Sequence, residues 1–203
     1  MEVQCHPHRY RSILRGSDSP AIHDNIPLEK LYDQLRAGVF LNNRTVKYSV
    51  ENESKKNCFM LHARYFIIQR SDEPSCWKWV IEEDPSSDVV VLNVRWLDAR
   101  CKFEVSILSP KTTYEVVFLI KLTPSASGWE DPVHFGVTLP DGTKQERKVN
   151  LKEKPKGEWI EIKAGEVSTS ECKEGQMELF MFEHSDHWKS GLVFKGALIR
   201  PTN

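Results

Sequence analysis

Apolar and polar positions alternate with a period of two along most of the chain beyond position 58. Short alternating or apolar runs at 59–61, 65–68, 77–81, 89–96, 101–107, 114–122, 133–139, 145–151, 159–162, 179–182 and 192–199 read as strands. Turn chemistry separates them at Ser109-Pro110, Pro140-Asp141-Gly142, Pro155-Lys156-Gly157 and Ala164-Gly165. Pro140-Asp141-Gly142-Thr143, between two alternating runs, predicts a hairpin. Many short strands at a spacing of about 8 to 12 residues predict an all-β, antiparallel two-sheet sandwich of jelly-roll type. No strand–helix alternation supports a parallel sheet.

The pattern is different upstream. Leu28, Leu31, Tyr32 and Leu35 form one stripe at helical spacing, with Asp24 or Asn25 as cap, Pro27 in the first turn and Gly38 as the stop. Residues 39–50 read as strand, turn at Asn42-Asn43, and strand. Residues 1–24 are polar, basic and unpatterned, and are expected to be mobile. The organisation predicted is a flexible segment over 1–24, a helix-and-strand leader over 25–57, and a sandwich over 58–203.

Near the end of the chain, runs 179–182 and 192–199 enclose a polar loop and read as a hairpin at a sheet edge. The loop gathers Glu183, Asp186, Trp188, Lys189 and Ser190. A carboxylate, a hydroxyl, an ammonium and an indole together suit a polar ring such as a sugar. Its hydroxyls need hydrogen-bond partners, and its C–H face packs on an aromatic ring. The bland readings are a solvated charge for Glu183 and a packing residue for Trp188. Trp77 and Trp79 lie two apart on a predicted strand, so both indoles point to one face. Trp79 reads as core; Trp77, at the strand entrance, reads as core or as a sugar platform.

At 39% hydrophobic and 28% charged residues, the 203-residue chain can build a core. A net charge of −1 gives no long-range pull towards nucleic acid or anionic membranes. Lys152, Lys154 and Lys156 form a local basic run that reads as a solvated turn, a nuclear import signal or an RNA contact. No apolar run approaches the roughly 20 residues of a membrane span. The first thirty residues lack a secretory apolar core, so a cytosolic or nuclear location is expected. Five cysteines, at 5, 58, 76, 101 and 172, are an odd number without zinc-ligand spacing. Most read as free thiols, with Cys5 the candidate for an intermolecular disulfide. His184 and His187 beside Glu183 lack the fixed geometry of a helical metal motif, and no metal or cofactor is expected. No second acid is tied to Glu183 and no nucleophile–base pair stands out, so the chain reads as a binding protein and not an enzyme.

Several ordered motifs resemble the phloem protein 2 family of plants, to which the tobacco lectin Nictaba belongs. They are Cys58-Phe59-Met60-Leu61-His62-Ala63-Arg64, the pair Trp77 and Trp79, and the segment from Trp96 to Lys102. Leu108-Ser109-Pro110 with Tyr114, Gly128-Trp129 with Pro132, Gly157 with Trp159 and Glu161, and His187-Trp188-Lys189-Ser190-Gly191 continue the likeness. It covers roughly residues 58–201, and the leader looks like that of the phloem branch. The resemblance implies a β-sandwich lectin of cytosol, nucleus or phloem sap, without metal. It implies binding of N-acetylglucosamine oligomers and the N-glycan core of glycoproteins, a homodimer, and a role in defence. Its alternative is a structural phloem protein with weak sugar binding, assembling through disulfides or binding protein or RNA partners. Glu183 matches a family carboxylate implicated in sugar binding; a second falls at Gln176, or with small shifts at Glu174 or Glu178. Arg70 stands where many lectin-active members carry Trp. A guanidinium stacks and donates to hydroxyls but lacks the apolar area of an indole.

Overall fold

The computed structural model describes residues 6–19, 26–81, 87–91 and 93–202. Thirteen antiparallel strands among these residues form two sheets. The larger contains β1 (Val39–Leu41), β2 (Val46–Val50), β3 (Asn57–His62), β5 (Trp77–Ile81), β6 (Ser87–Val91), β8 (Thr113–Ser127), β11 (Trp159–Ser168) and β13 (Ser190–Pro201). The smaller has the order β10 (Lys144–Val149), β9 (Val133–Thr138), β12 (Gln176–Glu183), β7 (Leu97–Glu104) and β4 (Ile67–Ile68). The two-sheet antiparallel sandwich expected from the strand pattern is what the chain forms.

The inner faces meet in a core of alternating side chains. Phe118 and Phe194 of the larger sheet meet Phe135 of the smaller and Phe66, with Phe118–Phe135 and Phe66–Phe194 edge to face at 5.4 and 5.0 Å between centroids. Such pairs add about 0.5–1.5 kcal/mol each beyond burial.

The two last strands are not a hairpin. β12 lies inside the smaller sheet and β13 is the central strand of the larger, with β8 along one edge and β3 and β6 sharing the other. Both carry an inward apolar row, so each needs the sandwich interior on one side, and the 184–189 connection crosses between sheets. β7 begins at Leu97 and gives way at Glu104 to a 3₁₀ turn, Val105–Ile107. The run expected at 89–96 divides into the end of β6 and a bridge at Val94.

The N-terminal residues 6–19 are packed and not free. Helix α1 (Tyr10–Leu14) buries Ile13, a His8 ring nitrogen lies 3.1 Å from the Ser106 carbonyl, and Asn57 donates to the His8 carbonyl at 2.9 Å. Short polar segments dock when the body offers acceptors and an apolar seat, which composition does not reveal. Helix α2 (Leu28–Ala37) buries Leu31, Tyr32 and Leu35, with Pro27 at the cap and Gly38 ending it at φ 88°. Asp24, Asn25 and Cys5 lie outside the described residues. The leader strands β1 and β2 extend the larger sheet through β3.

Candidate functional site

Period-two alternation places Met177, Leu179, Met181 and then Glu183 on the inward face of β12. Glu183 is therefore buried at 4% exposure, at the point where the chain leaves the sheet. Lys189, 1% exposed, meets it from the other end of the loop, and the two side chains form an ion pair. The Lys189 ammonium also donates to the carbonyls of Arg95, Ser185 (3.2 Å) and His187 (2.9 Å). Glu183 takes the Ser185 N–H at 2.6 Å. Burial pulls the Lys189 ammonium below the usual lysine range. Its acceptors nonetheless suit the protonated form. The pair is an internal brace that ties the 184–188 loop to the 95 segment.

The brace carries an exposed rim. Val94 and Lys189 exchange backbone hydrogen bonds at 3.0 and 2.8 Å, so the 93–96 and 187–190 segments run antiparallel. Across that bridge the Arg95 guanidinium lies 4.7 Å from the Trp188 ring centroid, a cation–π contact that holds an indole 54% exposed. Trp96, 48% exposed, stacks on His184 with centroids 3.8 Å apart and planes 9° apart. His184 Nε2 lies 2.9 Å from Asp98, which fixes the imidazole beneath the indole.

A third segment, 127–131, closes one side. Trp129 is buried and donates its indole N–H to the Ser190 carbonyl at 3.0 Å. The Ser127 and Ser190 hydroxyls pair at 3.1 Å, and His187 meets Asp131 at 2.8 Å. Gly128 sits at φ 85°, where an added Cβ would enter the Trp188 and Lys189 backbone.

The 69–76 loop borders the other side, joined by Gln69 N–H to the Asp98 carbonyl (3.0 Å) and Asn93 N–H to the Cys76 carbonyl (3.4 Å). Arg70 is exposed there at φ 59°, 3.8 Å from Glu73. Trp77 is 2% exposed in the core and donates its indole N–H to the Gln69 carbonyl at 3.0 Å. Beside it is a shallow hollow of 370 Å³ with Ser71, Pro74 and the partly buried Trp79, whose ring carries the Arg64 guanidinium at 3.8 Å.

Of the residues singled out from sequence, Asp186, Trp188 and Ser190 reach the rim surface, and Arg70 lies in its bordering loop. Glu183, Lys189 and Trp77 lie beneath. Trp96, His184 and Arg95 were missed as a set. Period two puts Trp96 on a face with Asp98 and Arg100, and His184 on a face with Phe180 and Phe182, but nothing local brings those faces together or adds Arg95, which has the opposite parity. Among the described residues, no group of three or more His, Cys, Asp and Glu side chains is placed to hold a metal ion. No described helix is long and apolar enough to cross a membrane. Cys58, Cys76 and Cys101 are buried free thiols and Cys172 is partly exposed; burial raises the Cys58 thiol to about 12.

Comparison with known proteins places residues 56–201 on the model of the family described as Phloem protein 2. Protein PHLOEM PROTEIN 2-LIKE A1 of Arabidopsis thaliana is 40% identical over 203 residues, spanning 96% of this chain and 81% of that protein. A lectin of Luffa acutangula is 39% identical over 199 residues, spanning 96% and 94%. Among solved structures, a carbohydrate-binding module in complex with β-1,4-galactotriose aligns over 66% of this chain and 86% of its own at 14% identity. Its TM-score of 0.40 is too low to carry an inference.

Proposed function

We propose that this chain, which belongs to the phloem protein 2 family, is a carbohydrate-binding lectin that recognises N-acetylglucosamine oligomers at the rim of segments 93–98 and 184–190. The observation that carries this reading is the pair of exposed indoles, Trp96 and Trp188, each held by a stacked partner over a buried brace. A sugar ring offers C–H groups to an indole and hydroxyls to hydrogen-bond partners. The rim supplies both, with Arg95 against the Trp188 ring, an exposed Asp186 in the same loop and the paired Ser127 and Ser190 hydroxyls where the loop enters β13. Immobilised rings lose little freedom on binding, which lowers the cost of association. The Luffa relative, named a lectin, supports the same reading.

In this reading Glu183 and Lys189 position the rim from below, and the protein binds sugar without cleaving it. Its ligands are chitin-type oligomers and the N-glycan core of glycoproteins. A homodimer in cytoplasm or phloem sap gains avidity from two such rims and serves in defence. Titration with N-acetylglucosamine trimer, beside a glucose trimer as control and with chromatography of the recovered sugar, tests the proposal. Saturable heat for the first sugar only, with its length unchanged, is expected. Absence of heat at millimolar ligand, or shortened sugar, would overturn it.

A further inference from the structure

The two sheets meet along a seam between their edge strands β10 and β11. On β10 the residues Gln145, Arg147 and Val149 stand opposite Val137, Phe135 and Val133 of β9, and so take the inward parity. Gln145 ties one end of the seam. Its side-chain amide donates to the Glu166 carbonyl and its side-chain oxygen accepts the Glu166 N–H, both at 2.7 Å. Val149 and Leu151 are buried at the other end. Arg147 lies between these closures and is exposed, an inward-parity guanidinium at the open part of the seam.

A cleft of 380 Å³ opens there, with walls that include Arg147, Lys148, Asn150, Glu153, Lys154 and Glu161. That size is within the range of small-molecule sites, about 300–1,000 Å³. With Lys152, the segment 147–154 carries four cations in eight residues. Among the described residues, none of these four side chains has an ion-pair or hydrogen-bond partner. Lys156, the last of the basic run read from the sequence, is drawn out of it. Its ammonium donates to the carbonyls of Pro124 and Ala126 at 3.3 and 2.9 Å. The acids of the cleft offset its cations only in part. Both Glu161 oxygens accept from Arg200, at 3.2 and 2.7 Å, so that charge is already matched. Glu153 accepts from the Asn150 side chain at 3.2 Å and keeps lone pairs for further donors. Arg147, Lys148 and Lys154 therefore face a single carboxylate that no cation has claimed.

We infer that this cleft binds a small sugar phosphate, with the phosphate on Arg147, Lys148 and Lys154 and hydroxyls on Glu153. A guanidinium meets two phosphate oxygens at once, and the ammoniums add charge-assisted hydrogen bonds. A bare anion is repelled by Glu153, and a neutral sugar leaves the cations unmatched. A phosphomonoester that carries hydroxyls answers both. The cleft shares no residue with the rim, so the inference goes beyond the lectin reading and does not depend on it.

The test is calorimetric titration of glucose 6-phosphate, with glucose and inorganic phosphate as controls, into the parent, Arg147→Gln, Lys154→Gln and Lys173→Gln. All three side chains are solvent-accessible and outside the core, and thermal melting checks each fold. Lys173 lies between β11 and β12, away from the cleft, and makes the same change in net charge. The parent is expected to bind glucose 6-phosphate saturably, more tightly than inorganic phosphate, and glucose not at all. Arg147→Gln and Lys154→Gln are each expected to weaken it roughly fivefold or more, with Lys173→Gln unchanged. Saturating N-acetylglucosamine trimer is expected to leave the phosphate affinity as it was. Absence of saturable heat at millimolar ligand, or an equal loss in Lys173→Gln, overturns the inference. Inorganic phosphate binding as tightly as the sugar phosphate also overturns it, by reducing the cleft to an unspecific anion contact. A single-stranded RNA oligonucleotide binding far more tightly, with an affinity that falls steeply with salt, assigns the cations to a polyanion and overturns it as well. Each of these results leaves the rim reading untouched.

Discussion

The ammonium of Lys189 rests against the carboxylate of Glu183 inside the loop, with exposures of 1% and 4%. Removing one partner leaves the other charge buried and uncompensated, which costs about 3–5 kcal/mol in such pairs. Lys189→Met should therefore lower unfolding free energy by that order in urea titrations. Replacing both, as Glu183→Leu with Lys189→Met, should recover much of the loss. A single variant as stable as the parent would show that the pair does not brace the loop.

Gly128 supports the same rim from behind. Its φ of 85° strains any side chain, and an added Cβ would enter the backbone of Trp188 and Lys189. Gly128→Ala should destabilise by more than about 1 kcal/mol. It should also weaken sugar binding by displacing Trp188. Thermal melting and titration of the same sample check both effects.

Asp18 takes the backbone N–H groups of Asn43 and Arg44 at 2.9 and 2.7 Å. These sit in a turn where Asn42, Asn43 and Arg44 all have positive φ. The carboxylate compensates a costly backbone path between β1 and β2. Asp18→Ala should cost about 1–2 kcal/mol. It should raise amide exchange in residues 39–50 before any other part of the larger sheet.

Acid should weaken the fold through its paired carboxylates. The Glu161 carboxyl is held below its ordinary range by hydrogen bonds from Arg200, and Glu146 by those from Lys144 and then His134. A depressed folded value means stability present above the unfolded carboxylate value, about 4.3, and lost as pH falls through the folded value. Melting temperature should therefore drop below about pH 4.3. Arg200→Gln should flatten part of that drop. A melting temperature that rises on acidification would contradict the sign.

Much of the architecture was legible because period-two alternation and turn residues are local. The hairpin at Pro140-Asp141-Gly142 follows from backbone preferences of those residues, and the Asn42-Asn43 turn from the same preferences together with the Asp18 carboxylate that takes its N–H groups. Sheet membership was not legible. Runs 179–182 and 192–199 look like hairpin partners in sequence, and only the core they share sets them in opposite sheets. The same gap hid the rim. Glu183 follows the parity of Met177, Leu179 and Met181, which points it inward. Phe180 and Phe182, on the opposite parity, are equally apolar, so the pattern alone does not choose a face. The Trp96–His184 stack joins residues 88 positions apart and has no local signature.

The decisive measurement is titration of N-acetylglucosamine trimer into the parent, Trp96→Ala, Trp188→Ala and Trp159→Ala. Trp159 is a partly exposed indole on β11, outside the rim, and serves as the control. Trp96→Ala and Trp188→Ala should each weaken binding roughly tenfold or more, about 1.4 kcal/mol, while Trp159→Ala leaves it unchanged. Parent-like affinity in both rim variants, or an equal loss in the Trp159 variant, would contradict a sugar site at the rim.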